Sequence, residues 1–124
     1  MASVFVYGTL RSAGAAGHLL AAITTRTASA VLPGYALFGR NQPYPFVAPR
    51  KGSEVRGEVV WLEPRTAAST LAELDHYEGT EYRRTSAVVE LVGGDRVVAF
   101  LWEAAGAGLL AEHERIVSGD WFDR

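Results

Sequence analysis

The stretch Leu74-Asp75-His76-Tyr77-Glu78-Gly79 holds the side chain best suited to chemistry. Ala67, Leu71, Leu74 and Glu78 recur at the i, i+4, i+7, i+11 spacing of one helix face. At roughly 100° per residue, these positions fall within about 60° of one another on the helical wheel. The fourth member of this apolar stripe is a carboxylate, although Glu73 and His76 show that polar positions were free on the other side. Gly79 ends the helix, since glycine takes up a left-handed cap without steric cost. Glu78 is then half-buried beside unpaired carbonyls at the negative end of the helix dipole. Desolvation and dipole both push a carboxyl pKa upward, which suits a general base. A solvated Glu in a frayed final turn fits the same spacing, so the wheel leaves both readings open. Asp75, about 80° off the stripe, reads as solvated helix surface, and His76 likewise.

Tyr7-Gly8-Thr9-Leu10-Arg11 is the second candidate. A strand end followed by glycine and a short loop before a helix leaves backbone N–H groups unpaired and convergent. Such groups bind carboxylates or phosphates. A plain strand-to-loop turn, with Thr9 bonding locally, fits these residues too.

Composition narrows the chemistry. The chain has 124 residues, enough for one domain around a single core. A net charge of −2 with dispersed signs gives no basic stripe, which argues against nucleic acid as a partner. There is no cysteine, so disulfides and thiolate catalysis are excluded. His18, His76 and His113 lack ligand spacing, and no metal or cofactor is expected. Without a signal-like N-terminus or an apolar run of spanning length, the expectation is a cytoplasmic protein that does not contact the membrane.

The remaining elements must position these two stretches. Val4-Phe5-Val6-Tyr7 reads as a strand. A short helix is expected over about Ala15 to Ile23. Thr24 to Phe38 follows as one long strand, or two joined at Pro33-Gly34. Asn41 to Pro45 is irregular, because its two prolines remove backbone donors. Phe46 to Ala48 resumes as a brief edge strand and Lys51-Gly52-Ser53 turns. Val55 to Leu62 is a strand with one drier face, and the helix ending at Glu78 starts near Pro64. Thr85 to Val92 and Arg96 to Trp102 form a hairpin through Gly93-Gly94-Asp95, its second strand apolar on both faces. Leu109 to Val117 is expected to be a short helix. The pattern predicts an α+β fold: a small mixed, partly closed β-barrel of about six strands with two to three short flanking helices, in one domain over residues 1–124.

Together, these stretches resemble the gamma-glutamylcyclotransferase-like family, particularly its gamma-glutamylaminecyclotransferase and butirosin-pathway branch. The resemblance rests on Val4 to Arg11, on Leu74 to Gly79 with Tyr82 and Arg83, and on Gly119-Asp120-Trp121. Gly34-Tyr35, Tyr44-Pro45 and Val55-Arg56-Gly57-Glu58 match the family's middle strands. It implies a β-barrel with flanking helices and an enzyme that releases 5-oxoproline and an amine from a gamma-glutamyl amide. Glu78 then corresponds to the catalytic general acid and base. Tyr7, Gly8, Thr9 and Leu10 would cradle the substrate, and Tyr82 would hydrogen-bond Glu78 or the substrate or else pack the barrel. The nucleophile is the substrate's own amine, so the implied reaction requires no cofactor. A non-catalytic module binding an acidic small molecule is the alternative. The pocket for the leaving amine is expected from loops around Asn41 to Pro49 and from the C-terminal tail. Oligomeric state stays open.

Overall fold

The computed structural model describes residues 2–11, 14, 17, 24–106 and 110–124. The chain forms an α+β barrel. In order it contains β1 (Ser3–Val6), β2 (Thr24–Phe38), β3 (Phe46–Leu62), α1 (Ala67–Glu78), β4 (Tyr82–Leu91), β5 (Arg96–Ala104), a 3₁₀ turn (Glu112–Glu114) and β6 (Arg115–Ile116). Neighbouring strands run β3-β1-β5-β4-β2, and β2 also pairs β3, so five strands close on themselves. β6 adds to β2 at Leu37 and Phe38. β1 is antiparallel to β3 but parallel to β5, which places it between a middle strand and a late one.

Period-two alternation sorts the apolar residues into layers. Phe5, Leu32, Val55, Val59, Val89, Ala99 and Leu101 fill the barrel interior together with Trp121 from the C-terminal tail. Their neighbours Val4, Val6, Val60, Leu62 and Trp102 face outward, where Leu10 and the α1 residue Leu74 cover them. A strand such as β1, buried at all four positions, is what a barrel wall beneath a helix requires.

Several expectations need correction. The turn signal at Lys51-Gly52 does not end a strand, and at Pro33-Gly34 the structure takes the alternative of one long strand. β2 and β3 run through them, with a register shift between Pro33 and Tyr35 absorbing the extra residues as a bulge. α1 begins at Ala67 instead of near Pro64. β5 is buried on both faces only in its second half, because Val98 is 66% exposed near the hairpin end. Leu110 to Val117 is not an α-helix: pairing with β2 outcompetes the helical pattern, leaving one 3₁₀ turn and two strand residues. The helix expected over Ala15 to Ile23, His18 included, falls outside the described residues apart from Gly17. α1 is the one α-helix among the described residues. None of their helices is long and apolar enough to cross a membrane.

Candidate active site

Glu78 is the last residue of α1. The helix faces the barrel with Ala67, Thr70, Leu71, Leu74 and, at its end, Asp75 and Glu78. Gly79 stops it with φ +79°, and its N–H donates to the Asp75 carbonyl at 3.2 Å. Tyr82 then starts β4, so the chain crosses the barrel mouth within four residues. The turn after β1 approaches the same mouth. Here the Arg11 N–H donates to the Gly8 carbonyl at 3.1 Å. Among the described residues, no hydrogen bond engages the N–H groups of Gly8, Thr9 or Leu10.

Between these segments lies a cavity of about 190 Å³. Tyr7, Gly8, Thr9, Leu10, Glu78 and Tyr82 all line it, so the six residues singled out from sequence meet in one place. Burial raises the Glu78 carboxyl pKa to about 7. No side-chain hydrogen bond among the described residues offsets that desolvation, so the acid stays poised between its two forms near neutrality.

The two tyrosines hold the walls. Tyr7 donates its hydroxyl to the Trp102 carbonyl. Burial, and then the proximity of Tyr82, Glu78 and Glu103, raise its phenol pKa well above the usual value. Tyr82 does not hydrogen-bond Glu78. It donates to the Pro45 carbonyl at 2.7 Å and stacks on Phe46 with ring centroids 4.8 Å apart. Burial chiefly, with the nearby Glu78 carboxylate, raises its phenol pKa too. Both hydroxyls therefore remain neutral donors. Gly8 packs so closely under this wall that a Cβ would sit 2.5 Å from the Pro45 ring.

Some lining residues were not singled out from the sequence as parts of the site. Phe5, Val6, Tyr77, Glu81 and Trp102 are these additional residues, whereas Tyr44, Pro45 and Phe46 come from the Asn41–Pro49 loop expected to build the pocket. The Tyr44-Pro45 loop is held from behind by Glu114, whose carboxylate accepts the Asn41 N–H at 2.7 Å. That hydrogen bond lowers the Glu114 pKa. The C-terminal tail, expected to shape the pocket, contributes no lining residue: Trp121 enters the barrel core instead. Asp120 still reaches the turn, pairing with Arg11 at 2.8 Å. Among the described residues no group of three or more His, Asp or Glu is placed to hold a metal.

Asp75 is not idle surface. Its Oδ1 accepts the Trp102 indole N–H at 2.9 Å and lies 3.6 Å from Arg84 Nε. The 80° offset that pointed it away from the stripe turns it toward the outward-facing indole of β5. Arg83 likewise pairs with Glu103 at 3.6 Å. Replacing Asp75 with Ala is expected to lower stability by about 1–3 kcal/mol, because a buried indole donor loses its acceptor. Asp75→Asn should recover most of the loss in urea denaturation. Equal losses in both variants would show that charge, not the hydrogen bond, matters.

Comparison with known proteins agrees with this architecture. Residues 4–123 match the family described as gamma-glutamyl cyclotransferase, AIG2-like. AIG2-like protein D of Arabidopsis thaliana is 37% identical over 92 residues, which is 73% of this chain and 58% of that protein. The chain thus spans just over half of that relative's length. An uncharacterized protein of Pyrococcus horikoshii superposes with a TM-score of 0.69 at 27% identity, over 98% of this chain and 90% of the other. An AIG2-like protein of Mus musculus gives 0.70 at 25% identity, over 94% and 88%. With barrel, cavity and sequence in agreement, the chain belongs to the gamma-glutamyl cyclotransferase, AIG2-like family.

Proposed function

We propose that the cavity carries out a cyclotransferase reaction on a gamma-glutamyl amide. The observation that bears most weight is the half-buried Glu78 carboxyl, with a pKa raised to about 7, on one wall of a cavity whose other wall is the Tyr7–Leu10 turn. The substrate's α-ammonium must lose a proton before it can attack. Glu78 takes it, and the α-nitrogen bonds to the γ-carbonyl carbon to close a five-membered ring. The amide C–N bond then breaks. Overall, the attacking nitrogen gives up two of its three protons, and the leaving nitrogen departs with both as an ammonium, so charge balances. Glu78 relays these protons between the two nitrogens.

The N–H groups of Gly8, Thr9 and Leu10, unpaired among the described residues, suit the α-carboxylate or the oxyanion that develops on the γ-carbonyl. A volume below the ~300–1,000 Å³ of drug-sized sites suits a short acid such as the glutamyl unit. Tyr7 and Tyr82 spend their hydroxyl protons on backbone carbonyls, so they shape the site and do not relay protons.

The direct test is 5-oxoproline release from a panel of gamma-glutamyl amides, compared with Glu78→Gln. Saturable binding without turnover, unchanged in Glu78→Gln, would instead identify a binding module. Gly8→Ala gives an independent check on the wall. A methyl group there must displace Pro45 and tilt the turn, and misplacement by about 1 Å can cost up to ~10²-fold in rate. The expected result is a ~10–100-fold lower kcat/KM in a folded protein. An unaffected rate would remove the turn from the site.

A further inference from the structure

Glu114 is a buried acid with no part in the proposed chemistry. It ends the 3₁₀ turn that leads into β6, and β6 pairs Arg115 with Phe38 at the end of β2. Glu114 therefore stands beside the segment that leaves β2, and three successive residues of that segment donate to it. Its backbone carbonyl accepts the N–H groups of Gly39 at 2.9 Å and Arg40 at 3.0 Å. Its carboxylate accepts the Asn41 N–H at 2.7 Å and the Asn41 side-chain amide at 3.4 Å. The segment needs an outside hold. Pro43 and Pro45 have no N–H to donate. Among the described residues, the backbone hydrogen bond within the segment runs from the Gln42 N–H to the Gly39 carbonyl at 2.9 Å. Gly39 has φ +108°, and a Cβ there would sit 2.7 Å from the Tyr44 carbonyl oxygen, so the chain folds back tightly. It then delivers Tyr44, Pro45 and Phe46 to the cavity wall.

We infer that Glu114 is a positioning residue for the substrate: by pinning Gly39, Arg40 and Asn41 it holds the Tyr44–Phe46 wall in place before substrate arrives. This rests on the cyclotransferase reading for what is bound, but on the hydrogen bonds alone for how the wall is held. Glu114 does not line the cavity, so it acts through the loop. The loop passes the hold onward, since the Pro45 carbonyl accepts the Tyr82 hydroxyl and the Pro45 ring lies against Gly8. A wall that is already ordered spares the substrate the entropy of ordering it. Without the Glu114 carboxylate the loop samples open positions, and each binding event must first gather it back. The loss therefore falls on binding and spares the proton transfers at Glu78.

Trypsin supplies a readout that does not depend on turnover. Arg40 is exposed, and the peptide bond after it lies between two N–H groups that Glu114 holds. In Glu114→Ala, cleavage after Arg40 should become roughly 10-fold faster than in the parent, the scale of one lost charge-assisted hydrogen bond, while cleavage after other arginines stays unchanged. The KM for a gamma-glutamyl amide, followed by 5-oxoproline release, should rise by roughly 10-fold with kcat within about threefold and the pH profile unshifted. The amide oxygen of Glu114→Gln still accepts the Asn41 N–H, so this variant should stay within about threefold of the parent in both readouts. Glu114→Asp keeps the charge but draws it back by one methylene. It should behave as Glu114→Ala does, and it serves as the test if the alanine variant does not fold. Parental KM and parental cleavage after Arg40 in these variants would overturn the inference. So would a lower kcat at unchanged KM with faster cleavage after every arginine, because Glu114 would then support the fold as a whole. A parent that releases no 5-oxoproline refutes the cyclotransferase reading instead, and cleavage after Arg40 still decides whether Glu114 holds the wall.

Discussion

Glu78→Gln should lower turnover by ~10²–10⁴-fold and yet produce a protein more stable than the parent at pH 8. Glutamine keeps the shape of the side chain and loses only the ionisable proton. In the folded chain burial raises the Glu78 pKa from 4.5 to about 7. The native state thus binds more protons than the unfolded state between those values. Stability from this group is fully present below pH 4.5 and is lost as pH rises through about 7. One pKa unit corresponds to 1.36 kcal/mol, so the charged form costs roughly 3 kcal/mol above neutrality. Glutamine never ionises and escapes that cost. Urea denaturation of parent and variant should therefore show a gap of ~2–3 kcal/mol at pH 8 that closes near pH 4.5. All other titrating groups are common to both proteins and cancel in the difference. The parent's kcat/KM should rise with pH up to about 7, as the carboxylate form accumulates. A near-parental rate in the variant refutes the base assignment. A gap that does not change with pH refutes the burial argument independently.

Glu78 is legible in the sequence alone. A helix period is a local property, and one acid on an apolar stripe stands out against it. The same holds for β1 and the β4–β5 hairpin, whose alternation and glycine link are contained within a dozen residues. Other features depend on contacts between distant parts of the chain. Pro45 becomes a cavity wall only because Gly8 lets it approach, and Trp102 only because β5 runs parallel to β1 at Val4 and Phe100. Asp75 was misread for the same reason: the wheel describes angle, but not what a neighbouring strand presents at that angle. Local propensity favours turns at Pro33-Gly34, which leaves one strand or two open, and at Lys51-Gly52, which predicts a strand end. Pairing of β2 with β3 on both sides of the bulge outweighs it. The tail departs most from its pattern, since Arg115 and Ile116, inside the stretch expected to be helical, pair with Leu37 and Phe38 of β2 instead.

That tail carries the largest expected effect on stability. Trp121 is 6% exposed and packs in the interior cluster with Phe5, Leu32 and Val55. Three contacts fasten it. The Arg56 N–H donates to the Gly119 carbonyl at 2.8 Å, Asp120 pairs with Arg11, and the Arg124 guanidinium covers the indole at 3.6 Å from the ring centroid. Trp121→Ala should cost about 3–5 kcal/mol, because the ring leaves a hole that a closed barrel cannot collapse into. Against a total stability of about 5–15 kcal/mol, that is a large fraction. Trp121→Phe keeps most of the volume and should cost well under half as much. Urea denaturation of both variants provides the measurement, and a loss below about 1 kcal/mol in Trp121→Ala would mean that the tail merely lies on the barrel. Activity should fall further than stability alone dictates. Asp120, adjacent to Trp121, is tied to Arg11, and Arg11 closes the turn that lines the cavity. Loosening the tail therefore loosens the Gly8–Leu10 donors while Glu78 stays in place on its helix. Under conditions where Trp121→Ala is still folded, the expected signature is a raised KM with an unshifted pH profile. A shifted profile would instead mean that the tail acts on Glu78 itself.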